Sequence, residues 1–298
     1  MKNRKKWIIR IALALCGLGL LAAGTLLAGV QLAAHKMTRQ LQVDVKGVAL
    51  RSDAASIERG RYLYASRGCV DCHGSHGGGQ LFLDDGRGLR IAGPNISPGP
   101  GTVVAGYSAQ DWERAIRHGL DPKGRPLLIM PSEDYNRLTD DDLAALVAYM
   151  RQMPPAQGGR AVVELPLPVR ALYGFGAIQD AAAKIDHRLP AAQPVPEGVT
   201  PAYGAYVANM CLGCHGAQLA GGRIPGGPPD WPAAADLRPG PDKPMARYAS
   251  AEAFVQMFKT GLRPDGSAIK VMPFQSLKQM NDTDMRALYV YLQGLQAR

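Results

Sequence analysis

From Ile11 to Val30 the chain runs twenty residues without a charge, behind the basic start MKNRKKWIIR. At a rise of about 1.5 Å per residue such a run spans the roughly 30 Å hydrocarbon core of a bilayer. It is longer than the roughly 7–15 apolar residues of a cleaved signal peptide. The pattern predicts a retained anchor over residues 1–34, with the basic flank cytoplasmic and the remainder outside. Cys16 follows Leu15, where lipoproteins generally carry a small residue, so it reads as an apolar, lipid-facing or packed side chain. Further on the period changes. Leu143, Leu146, Val147 and Met150 recur at helical spacing, and Met285, Leu288, Tyr289 and Leu292 do the same.

Punctuation supports more helices. Ser108 and Ser250 read as N-caps, with Asp111 completing a capping box in the first case. Gly119 and Gly261 end those helices, and Thr139 and Asn281 cap the last ones. Shorter helices are expected around Ile57–Ser66 and Ala202–Asn209. Between them lie Gly/Pro-rich loops, HGGGQLFLDDGRGLRIAGPNISPGPG and GGRIPGGPPDWP. No strand pattern stands out, so the expected fold is all-α.

A shift of 142 residues superimposes the two halves. Cys69, Cys72 and His73 fall on Cys211, Cys214 and His215, Tyr64 on Tyr206, and Met130-Pro131 on Met272-Pro273. LTDDDLAALVAYM (138–150) falls on MNDTDMRALYVYL (280–292). Two copies of one domain are therefore expected, over 55–155 and 199–298. Residues 35–54 read as a short stalk, and 156–198, rich in Pro, as a linker.

Charge changes the picture only by exclusion. The formal net charge is +9, but residues 1–54 hold nine Lys/Arg against two Asp, leaving only +2 for the rest. No basic stripe with interleaved aromatics is present, so nucleic-acid binding is excluded.

The chemistry lies in CVDCHG (69–74) and CLGCHG (211–216), which hold four of the five cysteines. Three occupants compete: a redox-active dithiol, a zinc ion, or a haem. A dithiol oxidoreductase usually sits on a βαβ pattern, which is missing, and it gives no role to the His. Zinc needs four ligands, and no Cys or His follows His215 in the second copy. Covalent haem attachment uses every letter: two thiols add to the porphyrin vinyls and the adjacent His becomes an axial iron ligand. Two haem c groups are the expected cofactors.

Met130 and Met272 each lie 57 residues beyond their His, and each precedes Pro. Matched spacing favours them as second axial ligands over core filler. His118 falls on Thr260 and His76 on Gln218, while His35 and His187 lie in stalk and linker. None of the four reads as a ligand.

These residues together resemble the class I c-type cytochromes in tandem dihaem form. The carrying segments are RGRYLYASRGCVDCHG, GPNIS and RAIRHGLDPKGRPLLIMPSEDYNRLTDDDLAALVAYMRQMPP, then YVANMCLGCHG, KTGLRPDG, VMPF and NDTDMRALYVYL. More narrowly, the chain is similar to membrane-anchored cytochrome subunits of periplasmic dehydrogenases for alcohols and sugar acids. The resemblance implies helices crossing near Tyr149 and Tyr291, and a Pro94 carbonyl that accepts a hydrogen bond from His73. The second copy departs, with Asp236 at the position matching Pro94. The alcohol-dehydrogenase type also usually carries three haem domains, against two here.

The expected function is electron carriage between a donor dehydrogenase or quinol-oxidising complex and a terminal oxidase or soluble cytochrome. The place is the periplasmic side of a bacterial inner membrane. Two other readings stand beside it: a dihaem enzyme, such as a peroxidase or thiosulfate-oxidising cytochrome, and a subunit that mainly docks a catalytic partner.

Overall fold

The computed structural model describes residues 2–224, 226–228 and 230–296; Pro225 and Pro229 of the second-copy loop, Met1, and the last two residues of the second domain lie outside the described residues. Helix α1 is continuous over Lys2–Thr38, and its most apolar stretch has no residue buried against the rest of the chain.

Each half then builds the same core. In the first, α2 (Ala54–Ser66) starts at Asp53, whose carboxylate accepts from Ser56 N–H, and leads to the one-turn helix α3 (Cys69–His73). Next come α4 (Ala109–His118), α5 (Ser132–Tyr135) and α6 (Asp140–Gln152). The capping box of Ser108 with Asp111 and the left-handed Gly119 (φ 65°) set the ends of α4, as the sequence predicts. Trp112 and Ile116 of α4 pack with Leu63 and Tyr64 of α2 and with Leu143, Leu146 and Val147 of α6.

The second half repeats this with α9 (Pro201–Val207), α10 (Leu212–His215), α11 (Ala251–Thr260), α12 (Phe274–Leu277) and α13 (Asp282–Gln293). The intervening α7 (Leu167–Phe175) and α8 (Ala181–Lys184) belong to neither repeat.

First and last helices cross at a glycine in both halves. A Cβ on Gly60 would lie 1.9 Å from the Ala145 carbonyl oxygen and 2.8 Å from Tyr149 Cβ. On Gly204 it would lie 2.0 Å from the Ala287 oxygen and 2.6 Å from Tyr291 Cβ. Only glycine permits such an approach. These crossing points correct the sequence alignment. Gly60 precedes its first Cys by nine residues and Gly204 by seven, the second domain using a tight 3₁₀ turn over Ala208–Cys211. The first helices are thus offset by 144 residues, and Tyr62, not Tyr64, is the counterpart of Tyr206.

Three other expectations are corrected. The fold is mainly helical but not purely so: β1 (Leu81–Asp84), β2 (Arg90–Ala92) and β3 (Val162–Glu164) form an antiparallel sheet in the order β1-β2-β3. The strands are too short to show alternation, and the β1–β2 turn, DDGRG, reads simply as loop. β3 comes from the Pro-rich linker, whose helices pack on the rest of the chain: α7 on α1, and α8 on α5. The stalk is also docked. Leu41 N–H donates to the Gly124 carbonyl (2.9 Å), Gly47 N–H donates to Glu113 (2.7 Å), and Val48 is buried in the first core.

Candidate haem-attachment sites

The C-x-x-C-H run of the first half is one helical turn held between two glycines of positive φ, Gly68 (φ 90°) and Gly74 (φ 69°). A single turn places residues three apart side by side, so Cys69 and Cys72 share a face and His73 ends the turn. In the second half Cys211 closes the 3₁₀ turn and Cys214 and His215 lie on α10.

All four thiols are free. Burial pushes Cys69 up to about 12, helped by the neighbouring Cys72 and Asp71. Burial likewise raises Cys72 to about 11 and Cys211 to about 12. Cys214 is raised by desolvation and by Asp134. A dithiol shuttle works through a thiolate of lowered pKa, and zinc takes thiolates too. These environments favour the protonated thiol, unlike the lowered thiolate of a dithiol shuttle. Among the described residues, moreover, no three His, Cys, Asp or Glu side chains converge as a metal-holding group.

The imidazoles are oriented alike. His73 Nδ1 lies 2.9 Å from the Pro94 carbonyl oxygen, and His215 Nδ1 lies 2.8 Å from that of Ala235. A carbonyl only accepts, so Nδ1 carries the proton and Nε2 keeps its lone pair. Burial lowers the pKa of both rings and keeps them neutral, against the opposing effect of the carbonyl bond. Two addition-competent thiols beside one neutral imidazole with a free Nε2 is the donor set a c-type haem requires.

Pro94 therefore stands where the resemblance implies, and the second domain supplies Ala235 rather than the aligned Asp236. The reason is a local shift. Gly79 N–H donates to the His73 carbonyl and Gly221 N–H to that of His215, both at 2.9 Å and 142 residues apart. Further on, Ile96 N–H bonds the Gly77 carbonyl while Leu237 N–H bonds that of Leu219, so the loop has lost one residue. Asp236 serves otherwise: its carboxylate holds Arg238 (2.7 Å) and Lys243 (2.8 Å), which keep it well below the usual carboxylate range. Backbone-mediated contact leaves no side-chain signature, so only the apolar pair Ile96/Leu237 hints at the true register.

Met130 and Met272 sit in identical turns. Each carbonyl accepts from the N–H two residues on, Ser132 or Phe274, at 2.9 Å, and each following Pro starts a four-residue helix. Met130 packs against the core cluster that also contacts Cys69, and Met272 against the one that contacts Cys211. Of the remaining histidines, His118 Nδ1 lies 3.0 Å from His187 Nδ1, and His187 Nε2 donates to the Ala182 carbonyl.

The domains also clasp each other, which the sequence does not announce. Asp284 is fully buried and accepts from Tyr203 (2.8 Å), from Tyr62 of the other domain (2.6 Å) and from Arg67. Asp142 accepts from Arg59 (2.8 Å) and from Tyr206 of the other domain (2.6 Å). The Thr139 and Asn281 N–H groups complete the symmetry by donating to Tyr206 and Tyr62. Helix α5 packs on α10, where Gly213 N–H donates to Asp134 (2.6 Å), and α12 packs on α3. Each attachment turn thus lies against the helix that follows the Met-Pro turn of the other domain.

Comparison with known proteins agrees with this division. The family described as "Cytochrome C oxidase, cbb3-type, subunit III" matches residues 55–150, and "Cytochrome c" matches 201–296. The chain is 29% identical over 269 residues to the fructose dehydrogenase cytochrome subunit of Gluconobacter japonicus, covering 82% of this chain and 53% of that protein. It is 28% identical over 278 residues to the cytochrome c subunit of the quinone alcohol dehydrogenase of Gluconobacter oxydans (83% and 56%). It is also 28% identical over 141 residues to a diheme cytochrome c-type protein of Cereibacter sphaeroides (44% and 47%). The chain spans about half the length of these relatives. Residues 55–150 and 201–296 are accordingly two cytochrome c domains in tandem on one chain.

Proposed function

We propose that this chain holds two covalently bound haem c groups and relays electrons from a membrane-associated dehydrogenase to a downstream acceptor. Cys69 and Cys72 hold the first haem, Cys211 and Cys214 the second, each by adding an S–H across a vinyl group. His73 and His215 would each supply one iron ligand, and Met130 and Met272 a second. When bound, a haem supplies a one-electron Fe(III)/Fe(II) couple.

The rest is done by the chain. The carbonyls of Pro94 and Ala235 hold Nδ1–H and so fix which nitrogen faces a metal and in what orientation. The neutral thioethers of Met130 and Met272, as ligands, would favour ferrous iron and leave no place for a substrate. The reciprocal packing of attachment turns and post-Met helices supports passage of an electron between domains without dissociation. The observation that carries the reading is the duplicated set of two free thiols one helical turn apart and a carbonyl-bound imidazole, one set in each domain.

The relatives point to the donor: a dehydrogenase of small alcohols, sugars or sugar acids. The acceptor is a terminal oxidase, a quinol-linked complex or a soluble cytochrome. Helix α1 spans a bacterial inner membrane, with both domains on the periplasmic face. A pyridine haemochrome assay on the membrane-purified chain tests the count: two haems per chain are expected, and one in each of Cys72→Ala and Cys214→Ala. Turnover of peroxide or thiosulfate by the chain alone would replace electron carriage with enzyme chemistry.

A further inference from the structure

We infer that α7, in the segment between the two domains, is a second membrane-contacting element that lies in the lipid interface beside α1. The inference rests on α1 being a membrane anchor and adds to it. Three of its side chains, Leu167, Leu172 and Phe175, are 52%, 47% and 51% exposed. Between Leu165 and Ile178 the only charge is Arg170. Residues Pro168, Leu172 and Phe175 are spaced by four and three, so one continuous apolar face points away from the protein. Soluble surfaces scatter such residues rather than lining them up.

The position of α7 on α1 identifies what covers that face. The two helices cross at Gly29 and Gly174: a Cβ on Gly174 would lie 1.9 Å from the Gly29 carbonyl oxygen, and one on Gly29 would lie 2.6 Å from the Phe175 ring. Gly29 lies seven residues before Lys36, the first charge after Arg10, so α7 sits toward the outer end of the uncharged run. Leu27 and Leu32 of α1 are exposed at the same level. The apolar face of α7 is therefore continuous with the lipid-facing surface of α1 near the hydrocarbon boundary.

Polar contacts hold this depth from above. Lys36 Nζ donates to the Tyr173 carbonyl (3.3 Å), and Arg39 bonds the Tyr173 hydroxyl (3.1 Å) and Asp180 (2.7 Å). Lys36 is seven residues beyond Gly29, about 10 Å along a helix and so at headgroup level. Because α7 follows directly on β3 of the first domain's sheet, its insertion would fix the tilt of the domains on the membrane.

The test is depth measurement on the full-length, haem-loaded chain in vesicles of phosphatidylethanolamine and phosphatidylglycerol. A nitroxide is placed at Phe175→Cys or Leu172→Cys in a Cys16→Ser background, and collision with oxygen is compared with collision with a water-soluble nickel chelate. Leu20→Cys reports on the anchor itself and Arg188→Cys on a water-facing position. The expected result is nickel accessibility at 172 and 175 on the order of tenfold below that at 188, because hydrocarbon excludes a polar solute. Protection at 20 with full nickel access at both 172 and 175 overturns the role of α7 and leaves the anchor standing. Full access at 20 as well overturns both.

Discussion

Tyr62, on the first helix of one domain, donates a 2.6 Å hydrogen bond to the buried carboxylate of Asp284 on the last helix of the other. Tyr206 returns the same bond to Asp142. The interface is thus quasi-two-fold, but not equal on its two sides: Asp284 receives the guanidinium of Arg67 from the other domain, itself almost wholly buried, whereas Asp142 is paired with Arg59 of its own domain. Breaking a buried pair by removing one partner costs about 3–5 kcal/mol. Arg67→Ala should lower stability by that order and split the unfolding transition into two, as followed by calorimetry. Tyr206→Phe should cost less, about 1–3 kcal/mol, because it loses the bond to Asp142 and the weaker one from Thr139 N–H but leaves Asp142 paired with Arg59.

The same carboxylate sets an acid limit. Burial pushes Asp284 up, but Arg67 and the Tyr62 and Tyr203 hydroxyls outweigh it, so its folded pKa lies below its ordinary value. A lowered carboxylate contributes stability above the unfolded pKa, about 3.9, and loses it as pH falls through the folded value. Domain docking should therefore be indifferent to pH near neutrality and weaken below about pH 4. Asp284→Asn should remove that acid-dependent step. Scattering at graded pH, which reports the separation of the domains, checks both.

The glycine crossings give a steric prediction. Gly60→Ala and Gly204→Ala each drive a methyl into a carbonyl oxygen, at 1.9 and 2.0 Å. Overpacking of this kind costs about 1–3 kcal/mol. Each substitution should lower the melting temperature of its own domain, read from that domain's haem absorption, and leave the other domain largely unchanged.

How far the sequence carried the fold follows from what leaves a local trace. Caps and terminators did: Ser108, Thr139, Asn281, Gly119 and Gly261 all stand where the spacing places them. So did the thiols and the imidazoles, while the Pro94 contact came from the family resemblance alone. Features made by backbone or by long-range pairing did not. β3 reads as linker because its pairing partner lies about seventy residues away. Ala235 has no side-chain chemistry to mark it, and a one-residue loss in the loop moved the apparent match to Asp236. The docking of Val48 and the clasp at Asp142 and Asp284 depend on surfaces brought together only by folding.

That shift makes a prediction of its own. Were Asp236 the partner of His215, Asp236→Asn would change the second haem's potential through its imidazole. With Ala235 as partner, the substitution instead weakens the half-buried contacts to Arg238 and Lys243, worth on the order of 1 kcal/mol. Redox titration should show the second haem's midpoint little altered, and the first haem's unchanged.

The methionines are tested by a spectrum and a potential together. Met130→Ala and Met272→Ala should each remove half of the far-red absorption characteristic of a Met–Fe(III) bond, and the double variant all of it. Loss of the thioether withdraws the ligand that favours ferrous iron. The affected haem should then fall in potential by on the order of 100 mV, within the roughly 0.8 V range that axial ligands command. Because Met130 and Met272 also pack against their cores, a fall in stability alone would mark them as filler. The separating result is Met→Leu, which keeps the packing: it should retain the fold yet lose both the band and the potential. If Met130→Leu and Met272→Leu keep the band, another group ligates the iron.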